Sequence, residues 1–118
     1  MCIITDCELA FHLPHLQTYR HRILYAGNDL ALFKHLQETF RDCLIVRAPV
    51  GSLARSFIKV INYSLLLVDH ALPDMTGTEL AEATRALPQR ERTQIILISA
   101  SQREASIVET ITRLLEAG

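Results

Sequence analysis

Two side chains of this 118-residue chain stand where group-transfer chemistry is often found, each directly after an apolar segment. Asp69 follows the apolar run at residues 65–68, and Ser99 follows the run at residues 95–98. A carboxylate can act as a nucleophile toward a phosphoryl group, and a hydroxyl can hydrogen-bond a phosphoryl oxygen. A carboxylate in this place can equally bind a metal or hold the loop that follows it, so position alone leaves these roles open.

The sequence motifs of several other chemistries are absent from the chain. The chain has no GxxxxGK[ST] phosphate loop, no GxGxxG after its first predicted strand and no GxSxG elbow. Cys43 lies inside a predicted strand, where packing is the more common role. His70 adjoins Asp69, but neighbouring residues of a strand point to opposite faces, so the two are not expected to act together.

The composition is that of one globular domain. The chain is 49% apolar and 21% charged, with a net charge of -1 and no basic run. Such a chain can bury an ordinary core, and neither nucleic-acid binding nor membrane-surface binding is expected of it. Its apolar runs are too short to span a bilayer. Three irregularly spaced cysteines are typical of reduced thiols in the cytoplasm.

The elements that must position Asp69 and Ser99 alternate along the chain. Apolar runs predict four buried strands, and apolar residues at helical spacing predict a helix after each strand. The four runs lie at residues 23–26, 43–46, 65–68 and 95–98. This order predicts an α/β fold in which a parallel sheet is covered by helices on both faces. Such sheets bind ligands at the carboxyl ends of their strands, so Asp69 and Ser99 are expected to lie close together.

Short polar motifs predict where individual helices begin. Asn28 or Asp29 is expected to cap the first helix. Thr76 has the capping-box spacing with Glu79, which predicts the start of the third helix, and Ser101 has the same spacing with Glu104.

Two motifs resemble those of the receiver domain of two-component response regulators. Residues 69–77 read DHALPDMTG and are similar to the family's segment D-x-x-[ML]-P-x-[ML]-[DST]-G. Residues 95–100 read IILISA and are similar to its strand [VI]-[IV]-x-[LI]-[ST]-A. The resemblance covers residues 22–118 and implies a flavodoxin-like, doubly wound parallel sheet. Residues 1–21 are then an N-terminal extension or linker.

The resemblance implies a role for each matched residue. Asp69 falls on the phosphoacceptor, Ser99 on the switch residue, and Ala71 and Ala100 in the phosphate pocket. A histidine kinase or phosphotransfer protein of a bacterial, cytoplasmic signalling system would donate the phosphoryl group, and Mg2+ would neutralise charge during transfer. Phosphorylation would then switch a protein-interaction face. Such a domain is a signalling module and no enzyme beyond self-catalysed phosphotransfer.

The sequence departs from the family at the residues that would serve the phosphoacceptor. Gly27 and Asn28 stand where the family has two acidic residues, and Asp29 comes one place late. Because Mg2+ binds anionic oxygens, a site made of Asp69, Asn28 and Asp29 predicts weak or absent binding. No lysine follows Lys59, so the family's phosphate-contacting lysine has no counterpart. The alternative function is therefore a pseudo-receiver that dimerises or binds a protein without phosphorylation.

The family's fifth strand and fifth helix also have no counterpart in this sequence. The expected strand order is 2-1-3-4, where the family has 2-1-3-4-5. The fourth strand then forms an edge, and an apolar edge readily pairs with another chain. Two alternatives are predicted for covering this edge. Residues 2–5 could fold back as a substitute strand, or a second copy of the chain could pair there and give a twofold homodimer.

Overall fold

The computed structural model of the protein describes residues 19–90, 92–99, 102 and 104–117. The strands in these residues are β1 (His21–Ala26), β2 (Cys43–Ala48), β3 (Leu65–Asp69) and β4 (Gln94–Ile98). The helices are α1 (Leu30–Thr39), α2 (Gly51–Val60), α3 (Gly77–Arg85) and α4 (Glu104–Ala117). None of these helices is long and apolar enough to cross a membrane. The strand predicted at residues 2–5, the capping box that needs Ser101, and Ala100 fall outside the described residues.

The four strands form one parallel sheet with the order β2-β1-β3-β4, which confirms the predicted fold class. β3 lies inside the sheet, between β1 and β4. Asp69 is its last residue and pairs in register with Ile98, the last residue of β4. The sheet therefore brings the polar residues that follow β3 and β4 to the same edge.

The two inner strands are buried on both faces, as their unbroken apolar sequences predict. Alternate residues of β1 and β3 belong to two separate core clusters, one on each face of the sheet. The α1 and α4 helices cover the cluster that contains Tyr25 and Leu67. The α2 and α3 helices cover the cluster that contains Leu24 and Leu66. Together the two layers hold β3, and with it Asp69, in one position.

The last helix lies on the same face of the sheet as the first. Ile107 and Ile111 of α4 are buried in one cluster with Leu32 and Leu36 of α1. The opposite face of β4 is covered less well, because Leu97 is 43% exposed. Within the described part of the chain, β4 pairs on one side only, with β3. The predicted edge strand is thus observed.

Side-chain caps fix the starts of α1 and α3, the helices that follow β1 and β3. The Asp29 carboxylate accepts the backbone N–H of Leu32 at 3.0 Å and caps α1. Thr76 Oγ1 accepts the N–H of Glu79 at 3.0 Å, while Glu79 Oε1 accepts the N–H of Thr76 at 2.9 Å. This reciprocal pair is the predicted capping box of α3. Each cap also fixes a loop that borders Asp69.

Candidate functional site

A cleft of about 240 Å3 opens at the edge of the sheet where β3 and β4 end. Its polar lining comes from the ends of these strands, from the N-cap of α1 and from the residues at and just before the start of α4. The residues named from the sequence that line it are Asp29, Asp69, Ala71 and Ser99. Gln102 and Glu104 also line the cleft, and the sequence had not marked them as site residues. The topology therefore places Asp69 and Ser99 together, as the parallel order predicts.

The Asp69 carboxylate is held by hydrogen-bond donors from β1 and the loop after it. The Tyr25 hydroxyl lies 3.1 Å from Oδ1 and 3.2 Å from Oδ2, so it shares its proton between the two oxygens. The backbone N–H of Asn28 donates to Oδ2 at 3.3 Å. Tyr25 in turn accepts the backbone N–H of Asp29 at 3.1 Å, which directs its own proton toward Asp69. The sequence had not marked Tyr25 as a site residue.

Burial shifts the pKa of both Asp69 and Tyr25. Burial raises the pKa of Asp69, while the Asn28 N–H and the Tyr25 hydroxyl oppose that rise by hydrogen-bonding the carboxylate. Burial also raises the pKa of Tyr25 far above its ordinary value, and the neighbouring Asp69 charge adds to the rise. Tyr25 is therefore a neutral phenol at pH 7 and acts toward Asp69 as a donor.

Gly27 has no room for a side chain. A Cβ atom at this position would lie closest to Asp69 Oδ2, and it would be 2.5 Å from the Tyr25 hydroxyl oxygen and 2.6 Å from Asp69 Cγ. Real Cβ atoms essentially never approach other heavy atoms this closely. The place where a side chain would enter from position 27 is therefore filled by the Tyr25–Asp69 pair.

The other two residues named for metal binding use their side chains elsewhere. The Asn28 amide donates to the Pro49 carbonyl at 2.9 Å, and its oxygen faces Arg47 at 3.5 Å. The Asp29 carboxylate caps α1. No group of three or more His, Cys, Asp or Glu in the described ranges could hold a metal ion. In this arrangement the donor set around Asp69 does not fit Mg2+, which requires several oxygen ligands.

The loop after Asp69 is tied to the rest of the fold by hydrogen bonds. Gly77 N–H donates to the His70 carbonyl at 2.8 Å, which closes the loop. Asp74 accepts the N–H of Gly51 at 2.7 Å and that of Ser52 at 2.9 Å. It thereby caps α2, whose own N-cap residue, Val50, supplies no side-chain cap. The apolar residue at the N-cap of α2 was the only local feature of the sequence that pointed to this contact.

Asp74→Asn is expected to lower stability at neutral pH, and the loss is expected to shrink in acid. The two backbone N–H groups of α2 lower the pKa of Asp74 in the folded protein. Its stabilising effect is therefore present above the carboxyl's unfolded pKa, about 3.9, and is lost as pH falls through the lower folded value. The check is the difference in melting temperature between Asp74→Asn and the parent at steps from pH 7 to pH 3. A difference that stays constant over this range would contradict the assignment.

Two hydrogen bonds between Ser99 and Gln102 border the cleft at the end of β4. Ser99 N–H donates to Gln102 Oε1 at 3.0 Å, and Gln102 N–H donates to the Ser99 carbonyl at 3.1 Å. Ser99 itself is exposed. Gln102 thus holds the backbone of Ser99 in position beside the cleft, which also contains the Asp69 carboxylate.

Comparison with known proteins relates the chain by structure alone, since it matches no protein-family model and no curated protein sequence. The chemotaxis response regulator CheY4 of Vibrio cholerae superposes with a TM-score of 0.70 at 16% identity, over 80% of this chain and 98% of that one. A CheY-like response regulator receiver domain from Methylobacillus flagellatus gives 0.67 at 16% identity, with the same two coverages.

A third similar structure holds a metal ion. It is the receiver domain of the sensor histidine kinase PA1611 from Pseudomonas aeruginosa, which has magnesium coordinated in its active-site cleft. The TM-score is 0.68 at 15% identity, over 81% of this chain and 98% of that one. Together with the parallel sheet of order β2-β1-β3-β4, these similarities show that the described part of the chain has the fold of response regulator receiver domains.

Proposed function

We propose that this chain is a receiver domain of a two-component system that accepts a phosphoryl group on Asp69. The observation that carries the proposal is the placing of the Asp69 carboxylate at the end of an inner strand, in one cleft with Ser99. The donor is a histidine kinase or phosphotransfer protein of the bacterial cytoplasm. Ser99 is the proposed switch residue, and Ala71 and Ala100 are the proposed small residues of the phosphate pocket.

The proposed reaction is a direct phosphoryl transfer. One carboxylate oxygen of Asp69 forms a bond to phosphorus, and the bond from phosphorus to the donor's imidazole nitrogen breaks. The electron pair of that bond leaves with the imidazole nitrogen, and the released ring is neutral because its other nitrogen already carries a proton in the phosphohistidine. The Ser99 hydroxyl, directly after β4, can donate a hydrogen bond to a phosphoryl oxygen. Moving Ser99 toward the new group would alter its hydrogen bonds with Gln102, which lies just before α4.

Acetyl phosphate provides the test of the phosphoacceptor. After incubation with it, the parent protein is expected to gain the mass of one phosphoryl group, and Asp69→Asn is expected to gain none. Asp42→Asn is the matched control, because Asp42 is an exposed carboxylate that pairs with Arg20 at 3.3 Å and accepts the Cys43 thiol at 3.6 Å. It should be modified like the parent. Absence of any mass gain in the parent, while an established receiver domain is modified in parallel, would refute the proposal.

A second candidate function is that of a pseudo-receiver, which binds proteins without phosphorylation. Two observations favour it: the Tyr25 hydroxyl engages both Asp69 oxygens, and the edge of the sheet exposes apolar surface.

At the β4 edge, Ile95 and Leu97 line a groove with Glu82 and Arg85 of α3. We propose that a second copy of the chain pairs with β4 at this edge. Light scattering at increasing concentration should then detect a dimer that Leu97→Asp abolishes, and a monomer throughout would exclude it.

A further inference from the structure

We propose that Tyr25 excludes divalent cations from the site and replaces them as the partner of Asp69. A neutral phenol then occupies the position beside the Asp69 carboxylate that a cation would need. The inference deepens the proposed function and rests on it, because it concerns how the same aspartate is regulated. It makes a statement about metal binding that does not depend on any phosphoryl donor.

The first argument is the direction of the hydrogen bonds around Asp69. A cation beside a carboxylate binds to its oxygens and is surrounded by further oxygen atoms. Here both oxygens already face hydrogen atoms, because the Tyr25 hydroxyl is shared between them and the Asn28 N–H reaches Oδ2. A cation approaching the carboxylate from the β1 side would meet positively polarised hydrogens where it needs lone pairs.

The second argument is that the Tyr25 hydroxyl cannot easily turn away. The tyrosine is fully buried, and its ring belongs to the core cluster under α1 and α4. It is adjacent to Leu67 in the sheet register. Its oxygen accepts the Asp29 N–H at 3.1 Å, so the proton must point away from that donor, toward Asp69. Core packing and this hydrogen bond therefore hold the phenol against the carboxylate.

The third argument is the exclusion of a ligand from position 27. A Cβ atom there would be 2.5 Å from the Tyr25 oxygen and would come even closer to Asp69 Oδ2. A carboxylate introduced at Gly27 can therefore enter only if both groups move. Removing the Tyr25 hydroxyl opens one of these contacts and frees the Asp69 carboxylate to rotate out of the other. Tyr25 and Gly27 should thus act together, and their substitutions should not be additive.

A Mg2+ titration of four proteins tests this coupling: the parent, Tyr25→Phe, Gly27→Asp and the double variant. Binding is followed by the backbone amide shifts of residues around the cleft. We expect Gly27→Asp alone to bind Mg2+ no more tightly than the parent. The double variant is expected to bind about tenfold more tightly than Gly27→Asp, because it gains an anionic ligand and the space for a cation. Equal affinities of Gly27→Asp and the double variant, with both folded, would overturn the proposal.

The single variant Tyr25→Phe provides an independent measurement if the double variant does not fold. It keeps the ring in the core and removes the hydroxyl, which donates to Asp69 and accepts the Asp29 N–H. Because the donor to Asp69 is lost, Mg2+ should bind several-fold more tightly than to the parent. Unchanged or weaker binding would refute the exclusion of cations by Tyr25. Tyr63→Phe is the matched control, because Tyr63 is also buried but lies in the cluster on the other face. It should leave Mg2+ affinity unchanged.

The titration separates this inference from the phosphoacceptor proposal. No phosphoryl donor is present, so the metal result stands whether or not Asp69 is modified by acetyl phosphate. If Tyr25→Phe gains Mg2+ binding but neither protein is phosphorylated, the proposed function fails and the role of Tyr25 holds. If the parent is phosphorylated but Tyr25→Phe gains no Mg2+ affinity, the proposed function holds and the proposed role of Tyr25 fails.

Discussion

Gly77→Ala is expected to destabilise the protein by about 1–3 kcal/mol, the usual cost of forcing an extra methyl group into a packed site. A Cβ atom at this position would lie 2.5 Å from the carbonyl oxygen of Asp69 and 3.1 Å from Val68 Cγ1. The nearest atom is backbone, so the contact can be relieved only if α3 and the end of β3 separate. Alanine's better helix propensity offsets at most about 1 kcal/mol of this cost.

Gly51→Ala is the matched control for this prediction. Gly51 and Gly77 are both buried and each is the first residue of a helix. A Cβ atom at Gly51 would meet Met75, at 2.5 Å from Cγ and from Sδ. Methionine is flexible and can move aside, so the expected loss of stability is smaller than that of Gly77→Ala. Urea unfolding of both variants measures the two losses.

The Gly77 substitution also has a consequence for the site. Separating α3 from β3 would shift the Asp69 backbone and weaken the bond from Gly77 N–H to the His70 carbonyl. Phosphorylation by acetyl phosphate should therefore fall in Gly77→Ala under conditions where the variant is still folded. Equal stability of the two alanine variants would show that the approach of Gly77 to the Asp69 carbonyl costs less than the geometry indicates.

Leu67→Ala is expected to have the largest effect on stability, a loss of about 2–5 kcal/mol. Leu67 is fully buried in β3, between Tyr25 and Ile96 in the sheet register. Alanine leaves a cavity there, and the neighbouring strands cannot close it without losing their own hydrogen bonds. A domain of this size has a total stability of about 5–15 kcal/mol, so the loss is a large part of the whole.

Leu44→Ala provides the comparison within the same sheet. Leu44 lies on the edge strand β2 and is 36% exposed, so its truncation should cost much less than that of Leu67. The two free energies of unfolding, obtained from urea titrations with a common slope, decide the point. Since the Leu67 cavity would lie beside the Tyr25 ring, the amide shifts of Asn28 and Asp29 should also change in Leu67→Ala alone.

The features that the sequence predicted well depend on contacts that are local or that follow from topology. The capping box of Thr76 and Glu79 was recognisable because its two residues are three positions apart. The meeting of Asp69 and Ser99 in one cleft followed from the parallel order, which brings the ends of β3 and β4 to one edge.

The features that the sequence did not reveal depend on partners far along the chain. Asp74 caps a helix 23 residues away, and Tyr25 bonds to a carboxylate 44 residues away. In both cases a sign was present: α2 lacked a polar cap of its own, and a tyrosine in a buried strand needs a partner for its hydroxyl. Neither sign identifies the partner, because that depends on which elements the fold brings together.

The sequence pattern also could not predict which face of the sheet α4 covers. The spacing of Ile107 and Ile111 indicates that the helix has one apolar side, but either face of a parallel sheet would bury it. Packing with Leu32 and Leu36 of α1 decides between the two faces.

The hydrogen bond between Tyr25 and Asp69 makes tyrosine absorbance and fluorescence an intrinsic probe of the site. The chain contains three tyrosines and no tryptophan, so tyrosine dominates its near-ultraviolet absorbance and emission. A phenol's spectrum depends on the acceptor bound to its hydroxyl, and here that acceptor is the Asp69 carboxylate. Any chemical change of this carboxylate alters the acceptor and therefore the signal of Tyr25. The state of the site can thus be followed in unlabelled protein, with Tyr25→Phe as the blank.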